Sequence, residues 1–329
     1  MHDLVVLFEH PEWQRPLFDA LTARGVDFAP YDLKRAVFGG ADLPPARVVF
    51  NQASPSAYVR GNTRAVPFCL ALLEALAFDG VRVVNGAPAF RFELSKAAQA
   101  RALARMGVPS PKTLAFNDVA ALEPRAAEIG FPAILKPNQG GSGARMFKVE
   151  SVQEVQTLLG QGAAEDLWAP DHVMLLQEYL PHDSAGRGVV RMEFVGGELL
   201  YAMKVFSAGG FNLCPSEVCN PVDGAEGACA LPAPGGTPTF EPFPEVPAEA
   251  VAIGRRICAA AGLDVAGIEY LETDDGRRMF YDINANSNLR RPIGLALGFD
   301  PFERVVDYLC AEIAAVKASA AAHPAVAVG

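Results

Sequence analysis

The chain begins its apolar pattern with a short run, Leu4–Phe8, flanked by Asp3 and Glu9. A run this short with acidic flanks predicts a buried strand and not a signal peptide. From Trp13 to Arg24 apolar positions recur at helical spacing and stop at Gly25. Val26–Tyr31 and Val48–Phe50 are further short strands. Val66–Phe78 is a helix of strong formers halted by Asp79-Gly80, and Val81–Val84 is a strand. Short strands alternating with helices predict a parallel sheet with right-handed crossovers. Ligands of such sheets bind beyond the carboxyl ends of the strands. Asn51 and Ser54, just after a strand, therefore mark a candidate substrate edge, although a surface turn would read the same.

Ser95 caps a helix that Gly107 closes, and Val108–Pro111 is an extended connector. A smaller α/β unit follows, from about Thr113 to Tyr179. It contains FPAILKPNQGGSGARMF (Phe131–Phe147), a strand ending near Lys136, then Gly140-Gly141-Ser142-Gly143, then strand-like alternation at Met146, Phe147 and Val149. A Walker A loop has its lysine after the glycines. The dinucleotide fingerprint needs a third glycine where Met146 stands. Kinase signatures are absent. What remains is a hairpin loop that folds over nucleotide phosphates beside a strand lysine, or a plain glycine turn.

Later in the chain, Met174–Tyr179 is strand-like, and 186–206 reads as paired strands around Gly196-Gly197. Cys214–Pro247 is dense in Gly, Pro and Ala and is read as loop. Ala248–Ala261 is a helix. Gly267–Thr273 and Met279–Ile283 are strands joined by a turn at Asp274-Asp275-Gly276. Pro301–Val316 is the last helix, and 319–329 is a disordered tail. Two of these strands carry a carboxylate among apolar neighbours, Glu269 in GIEYLE and Asp282 in FYDINANSN. A buried carboxylate is costly unless it is paired or metal-bound. Asp282 and Asn284 share a strand face, and the turn lets Glu269 come alongside. Two carboxylates and an amide oxygen form a hard-oxygen set suited to magnesium; the alternative is two surface carboxylates on an edge strand.

Composition narrows the function classes. The chain has 329 residues, half of them hydrophobic, with 30 glycines and 26 prolines. The formal net charge of −10 without a Lys/Arg cluster argues against a nucleic-acid groove. No run approaches a membrane span. The six cysteines show no C-x-x-C pairing, so free thiols in a cytoplasmic protein are expected. Cys214 and Cys219, with four residues between them, could hold a metal, but with no histidine nearby they read as core or loop cysteines.

Taken together, LSKAAQARALARMGVPSPKT, FPAILKPNQGGSGARMF, LLQEYL, VVRMEFVGG, AMK, and IEYL followed by YDINANSN resemble the ATP-grasp superfamily. The branch is that of ribosomal-protein-S6 glutamate ligases and bacterial glutathione synthetases, and the likeness runs from about Glu93 to Tyr308. The resemblance implies an α/β fold, α+β in parts. Residues 1–92 would be a parallel α/β domain. Residues 93–318 would be the catalytic region, α+β at its C-terminal end, with a lid at about 112–179 carrying the Gly-rich hairpin.

It also implies residue roles. Lys96 and Lys136 would reach ATP phosphates, and Gly140, Gly141, Ser142 and Gly143 would close over them. Gln177, Glu178, Tyr179 and Leu180 would be the hinge that reads adenine, with Glu178 or a neighbour on the ribose. Glu269, Asp282 and Asn284 would hold Mg2+, two ions in the family, with Mn2+ able to substitute. Arg191 and Lys204 would face the γ-phosphate and the acyl phosphate.

The chain departs from the family in three places. Asp282-x-Asn284 replaces Glu-x-Asn, Glu269 replaces Asp, and Ser287–Pro292 replaces a small-Pro-Gly turn. Arg290 and Arg291 in that last stretch could clamp a substrate carboxylate or be solvated charges. The implied activity is an ATP-dependent carboxylate–amine ligase acting through an acyl phosphate. Small-molecule or peptide substrates and homo-oligomerisation are left open. The competing readings are a phosphotransferase or thiol ligase on the same fold and a catalytically inactive nucleotide-binding regulator.

Overall fold

The computed structural model describes residues 1–39, 43–141, 143–160, 164–181, 186–208, 213 and 236–322. The N-terminal part contains β1 (His2–Phe8), α1 (Pro11–Ala23), β2 (Phe28–Asp32), β3 (Ala46–Gln52), α2 (Ala65–Phe78), β4 (Arg82–Val84), α3 (Ala87–Leu94) and α4 (Lys96–Arg105). Its four strands form a parallel sheet in the order β2-β1-β3-β4. The strands are apolar on both faces because both are covered. Leu4, Val6, Val48 and Phe50 face α1, and Val5, Leu7 and Val49 face α2.

The middle part contains β5 (Thr113–Phe116), α5 (Val119–Leu122), β6 (Ala133–Pro137), β7 (Phe147–Val149), α6 (Val152–Leu159), α7 (Ala164–Trp168) and β8 (Met174–Glu178). This sheet is antiparallel, in the order β5-β8-β6-β7. The period of two divides its side chains. Ala133, Leu135, Met174 and Leu176 enter the core shared with Val155 and Leu159 of α6. Ile134, Lys136 and Gln177 turn to the opposite face and line a cavity.

The last part contains β9 (Val189–Val195), β10 (Glu198–Ala208), β11 (Gly236–Pro242), α8 (Ala248–Ala261), β12 (Val265–Glu272), β13 (Arg278–Asn284), α9 (Arg291–Ala296) and α10 (Pro301–Ala322). The antiparallel sheet runs β11-β10-β9-β12-β13. One face packs Met192, Phe194, Ile268 and Tyr270 with Ile257 of α8. Gly254 lets α8 close on this face, since a Cβ there would lie 2.2 Å from Phe194 Cζ. The opposite face carries Arg191, Glu193 and Glu269.

The strands and helices expected from periodicity form, with ends shifted by a few residues. Three differences matter. Residues 236–242, read as loop, form β11 and pair with the C-terminal half of β10, because Pro and Gly at the start of an edge strand do not interrupt its ladder. α10 continues to Ala322, so the first residues of the expected tail are helical, and 323–329 lie outside the described residues. α10 also packs Val305, Val306 and Leu309 onto Leu4, Val6 and Val48, so the C-terminal helix completes the core of the N-terminal sheet. Cys69, Cys258 and Cys310 are free thiols, while Cys214, Cys219 and Cys229 lie outside the described residues. Among the described residues no helix is long and apolar enough to cross a membrane.

Candidate active site

A cavity of about 520 Å³ opens between the middle sheet, the charged face of the last sheet and the end of the N-terminal sheet. Glu269 on β12 is the register partner of Asp282 on β13, so the two carboxylates stand opposite each other. The register then shifts, with Tyr270 pairing with Phe280. Tyr281 is the extra residue of a bulge, and a bulge re-aims side chains. Tyr281 and Asp282, though consecutive, both line the cavity. The Tyr281 hydroxyl donates to Glu269 Oε2 at 2.9 Å. Asn284 lines the same wall, and its Nδ2 donates to Asp282 Oδ2 at 3.2 Å.

Each carboxylate is answered by a cation. Asp282 forms an ion pair with Lys96. Burial works to raise the Asp282 carboxyl, but Lys96, Lys136 and the Asn284 amide hold it below the ordinary range. Burial raises Glu269, and the Asp282 charge adds to that rise against the opposing pull of Arg191. Arg191 is 4% exposed. Its Nη1 donates to Glu269 Oε1 at 2.7 Å and its Nε to Glu193 Oε1 at 2.6 Å. Its Nη2 reaches Ser287 Oγ at 3.3 Å, and the Ser287 hydroxyl donates in turn to Glu193. The guanidinium crosses Gly267 of β12, where a Cβ would lie 2.0 Å from Nη2. Only glycine leaves room for this network.

Lys96 is fixed by its helix end. Ser95 Oγ accepts from Ala98 N at 3.2 Å, and Asn138 Oδ1 from Ala97 N at 2.8 Å. The cap satisfies orphan N–H groups and ties α4 to the segment after β6. Gln99 bonds both backbone groups of Ile283, which ties α4 to β13. Lys136 is 3% exposed and donates to Gln177 Oε1 at 2.8 Å. Burial, with Lys96 nearby, lowers its ammonium to about 7.

The glycine loop joins the paired strands β6 and β7 and lines the cavity with Gly140, Gly141 and Gly143. Ser142 lies outside the described residues. Gly143 has φ +67°, where glycine is favoured. Gly141 has an ordinary φ, but a Cβ there would come within 3.2 Å of Ser56 Cβ. The cavity thus has an apolar end (Ile134, Leu180, Val189, Leu271) and a charged end (Lys96, Arg191, Glu269, Asp282).

Most of the expected site residues meet here: Lys96, Lys136, Gly140, Gly141, Gly143, Gln177, Glu178, Tyr179, Leu180, Arg191, Glu269, Asp282, Asn284 and Ser54. The Glu178 carboxylate, expected near a ribose, accepts from Lys112 N at 3.1 Å. Lys204 does not join them. Arg191 is paired with Met203 and Lys204 with Val190, so Lys204 points to the opposite sheet face, its ammonium 5.0 Å from the Phe243 ring centre. Asn51 does not line the cavity; its side chain is buried and braces the backbone, donating to Asn85 O and accepting from Ala53 N. Arg290 lies over the Phe240 ring at 4.0 Å, and Arg291 pairs with Asp300 at 2.8 Å, so neither lines the cavity.

Sequence reasoning missed Glu93, Glu193, Gly267, Tyr281, Asn286, Ser287 and Trp13. Glu193 had a signal, a carboxylate in the apolar run VVRMEFV. Tyr281 had none, since only the bulge turns it inward. Glu93 is 4% exposed, and its Oε1 accepts from Asn286 N at 3.0 Å. Burial raises its carboxyl to about 8 against the opposing effect of that N–H.

The sequence matches no family model. It is 26% identical over 220 residues to beta-citrylglutamate synthase B of Danio rerio, an alignment covering 66% of this chain and 48% of that protein. The chain therefore spans about half the length of this curated relative. The fold superposes on the ATP-grasp ligase PsnB complexed with minimal precursor, with TM-score 0.65, 20% identity, and 95% and 100% of the two chains covered. It also superposes on D-alanine–D-alanine ligase from Bacillus anthracis complexed with ATP, with TM-score 0.66, 12% identity, and 97% and 99% covered.

Proposed function

Because the chain carries the ATP-grasp fold, we propose that it is an ATP-dependent carboxylate–amine ligase that forms an amide or peptide bond. The observation that carries this reading is the meeting of Glu269, Asp282 and Asn284 with Lys96, Lys136 and Arg191 at one end of a single cavity. Carboxylates and cations interleaved in this way suit a polyphosphate. The donor set of two carboxylates and an amide fits magnesium. Glu269, Asp282 and Asn284 would hold it, two ions in the fullest form with manganese able to replace them, and it would neutralise charge on the phosphate oxygens.

The purine takes the apolar slot between Ile134 and Leu271, with the hinge at Gln177–Leu180 beside it. Lys136 and Lys96 bind phosphate oxygens, the Gly140–Gly143 loop covers them, and Arg191 faces the transferred group. A substrate carboxylate oxygen attacks the γ-phosphorus, the bond to the bridging oxygen breaks, and ADP leaves. The amine nitrogen then attacks the acyl carbon, phosphate leaves, and the nitrogen gives up a proton. Both steps gather negative charge on phosphoryl oxygens, so positioning and fixed cations supply most of the catalysis. No side-chain nucleophile is needed. The relatives' names point to amino-acid or peptide substrates.

The test is a phosphate-release screen over pairs of acids and amines with Mg-ATP. Release that needs both an acid and an amine is the expected result. ADP formed with a phosphorylated acid and no free phosphate would indicate a phosphotransferase, and ATP binding without turnover a regulator.

A further inference from the structure

The cavity wall beside the charged end contains two acceptors with no partner. Glu93 Oε1 is engaged by Asn286 N at 3.0 Å, but Glu93 Oε2 is buried and unbonded. Asn286 Nδ2 donates to Gln52 O at 2.9 Å, which fixes the amide orientation because a carbonyl can only accept. Asn286 Oδ1 is therefore directed away, and it too is buried and unbonded. Glu93 is 4% and Asn286 8% exposed, and both line the cavity. Buried polar groups are almost always satisfied, so two orphans on residues already joined by the Asn286 N–H to Glu93 bond point to a bound partner.

The chemistry of the pair defines that donor. Once ionised, the Glu93 carboxyl accepts only, as the amide oxygen does, so a partner that bridges the two brings several N–H or O–H groups and favours the ionised form. The carboxylate favours a positive charge. Lys96, the nearest protein ammonium along the chain, pairs with Asp282 and is assigned to phosphate, so it does not serve Glu93 Oε2. The Trp13 indole N–H, also unpartnered and lining the cavity, adds one donor for an acceptor on the same ligand. Position agrees as well. Glu93 lies at the end of α3, three residues before Lys96 opens α4, and Asn286 lies two residues beyond Asn284 at the end of β13, so the orphans adjoin the phosphate end.

Resting on the ligase reading, we propose that Glu93 Oε2 and Asn286 Oδ1 form the subsite that holds the amino group of the amine substrate. An amine bearing a nearby acceptor, as in an amino acid or a peptide N-terminus, uses the Trp13 donor too.

The test uses the full chain with Mg-ADP and methylammonium chloride as probe, with methanol as an uncharged control of similar size. In wild-type crystals the probe nitrogen lies within hydrogen-bond distance of Glu93 Oε2 and Asn286 Oδ1. Glu93→Gln keeps the volume and the acceptor for Asn286 N but presents an N–H2 at the orphan position. Its affinity for the probe, read by NMR titration, falls about tenfold or more, as for other lost charge-assisted bonds, and methanol does not distinguish the two proteins. Magnesium or water alone at that position in wild type, or equal titrations for both proteins, overturns the proposal. ATP-dependent hydroxamate formation with hydroxylamine, which is uncharged and does not need the subsite, is measured over the acid panel in parallel. Its absence in wild type sinks the ligase reading itself.

Discussion

Arg191 reaches Glu269 by crossing Gly267, and the approach is so close that a Cβ on Gly267 would lie 2.0 Å from Arg191 Nη2. The glycine is therefore part of the charged site although it carries no chemistry. Gly267→Ala should push the guanidinium off Glu193 and Glu269 and leave buried carboxylates unpaired. Breaking a buried pair costs about 3–5 kcal/mol. A thermal melt and phosphate release measure it, and a variant with unchanged melt and rate would mean that the network tolerates the displacement.

Lys136 carries a pH signature. Its ammonium is lowered to about 7 by burial and by Lys96. At pH near 8 much of it is neutral in the free protein, and a bound phosphate favours the charged form. ATP binding should therefore take up a proton, so the calorimetric heat should vary with the ionisation enthalpy of the buffer. Lys136→Ala should lose this dependence and weaken ATP by about tenfold to a hundredfold, the range for a hydrogen bond to a charged group. Unchanged ATP affinity would remove Lys136 from the phosphate site.

Glu93 sets a window in stability. Its carboxyl stands at about 8 in the folded chain against 4.5 for the ordinary group. The folded state thus holds a proton that the unfolded state releases between these values. Stability from this group is full below the lower value and is lost as pH rises through the upper one. Denaturant unfolding of the ligand-free chain should show wild type losing stability relative to Glu93→Gln across that window. Parallel curves would contradict the assignment.

The loop glycines separate two causes. Gly143→Ala meets a left-handed φ and should strain the loop by about 1–2 kcal/mol. Gly141→Ala meets Ser56, so Ser56→Gly should partly restore it but should not restore Gly143→Ala. Turnover should fall more than melting temperature in both. Wild-type rates in both would reduce the loop to a turn.

Much of this was legible in the sequence. Lys96, Lys136, Glu269, Asp282 and Asn284 are polar residues in segments of clear period, and period fixes the face. Lys204 shows the limit. Its motif is matched, but the register Met203↔Arg191 turns its side chain to the far side of the sheet. Tyr281 shows another limit, because one extra residue in a strand reverses the inside–outside pattern and leaves no mark in composition. Glu93 and Asn286 meet across 193 residues, and only the packing of α3 against the end of β13 brings them together. The strand at 236–242 was hidden by Gly and Pro, which suit an edge as well as a loop.

On the proposed function, the face carrying Glu269, Asp282 and Asn284 holds magnesium against ATP. Phosphate release measured against magnesium concentration for wild type, Asp282→Asn and Asp282→Glu tests it most directly. Asp282→Asn removes a charge at nearly constant volume and should lower the rate on the order of 100- to 1000-fold. Asp282→Glu restores the charge with a longer reach, so it should shift the magnesium concentration at half-maximal rate while leaving the metal-free melt close to wild type. Superimposable titrations and rates for all three proteins would show that this strand does not carry the metal.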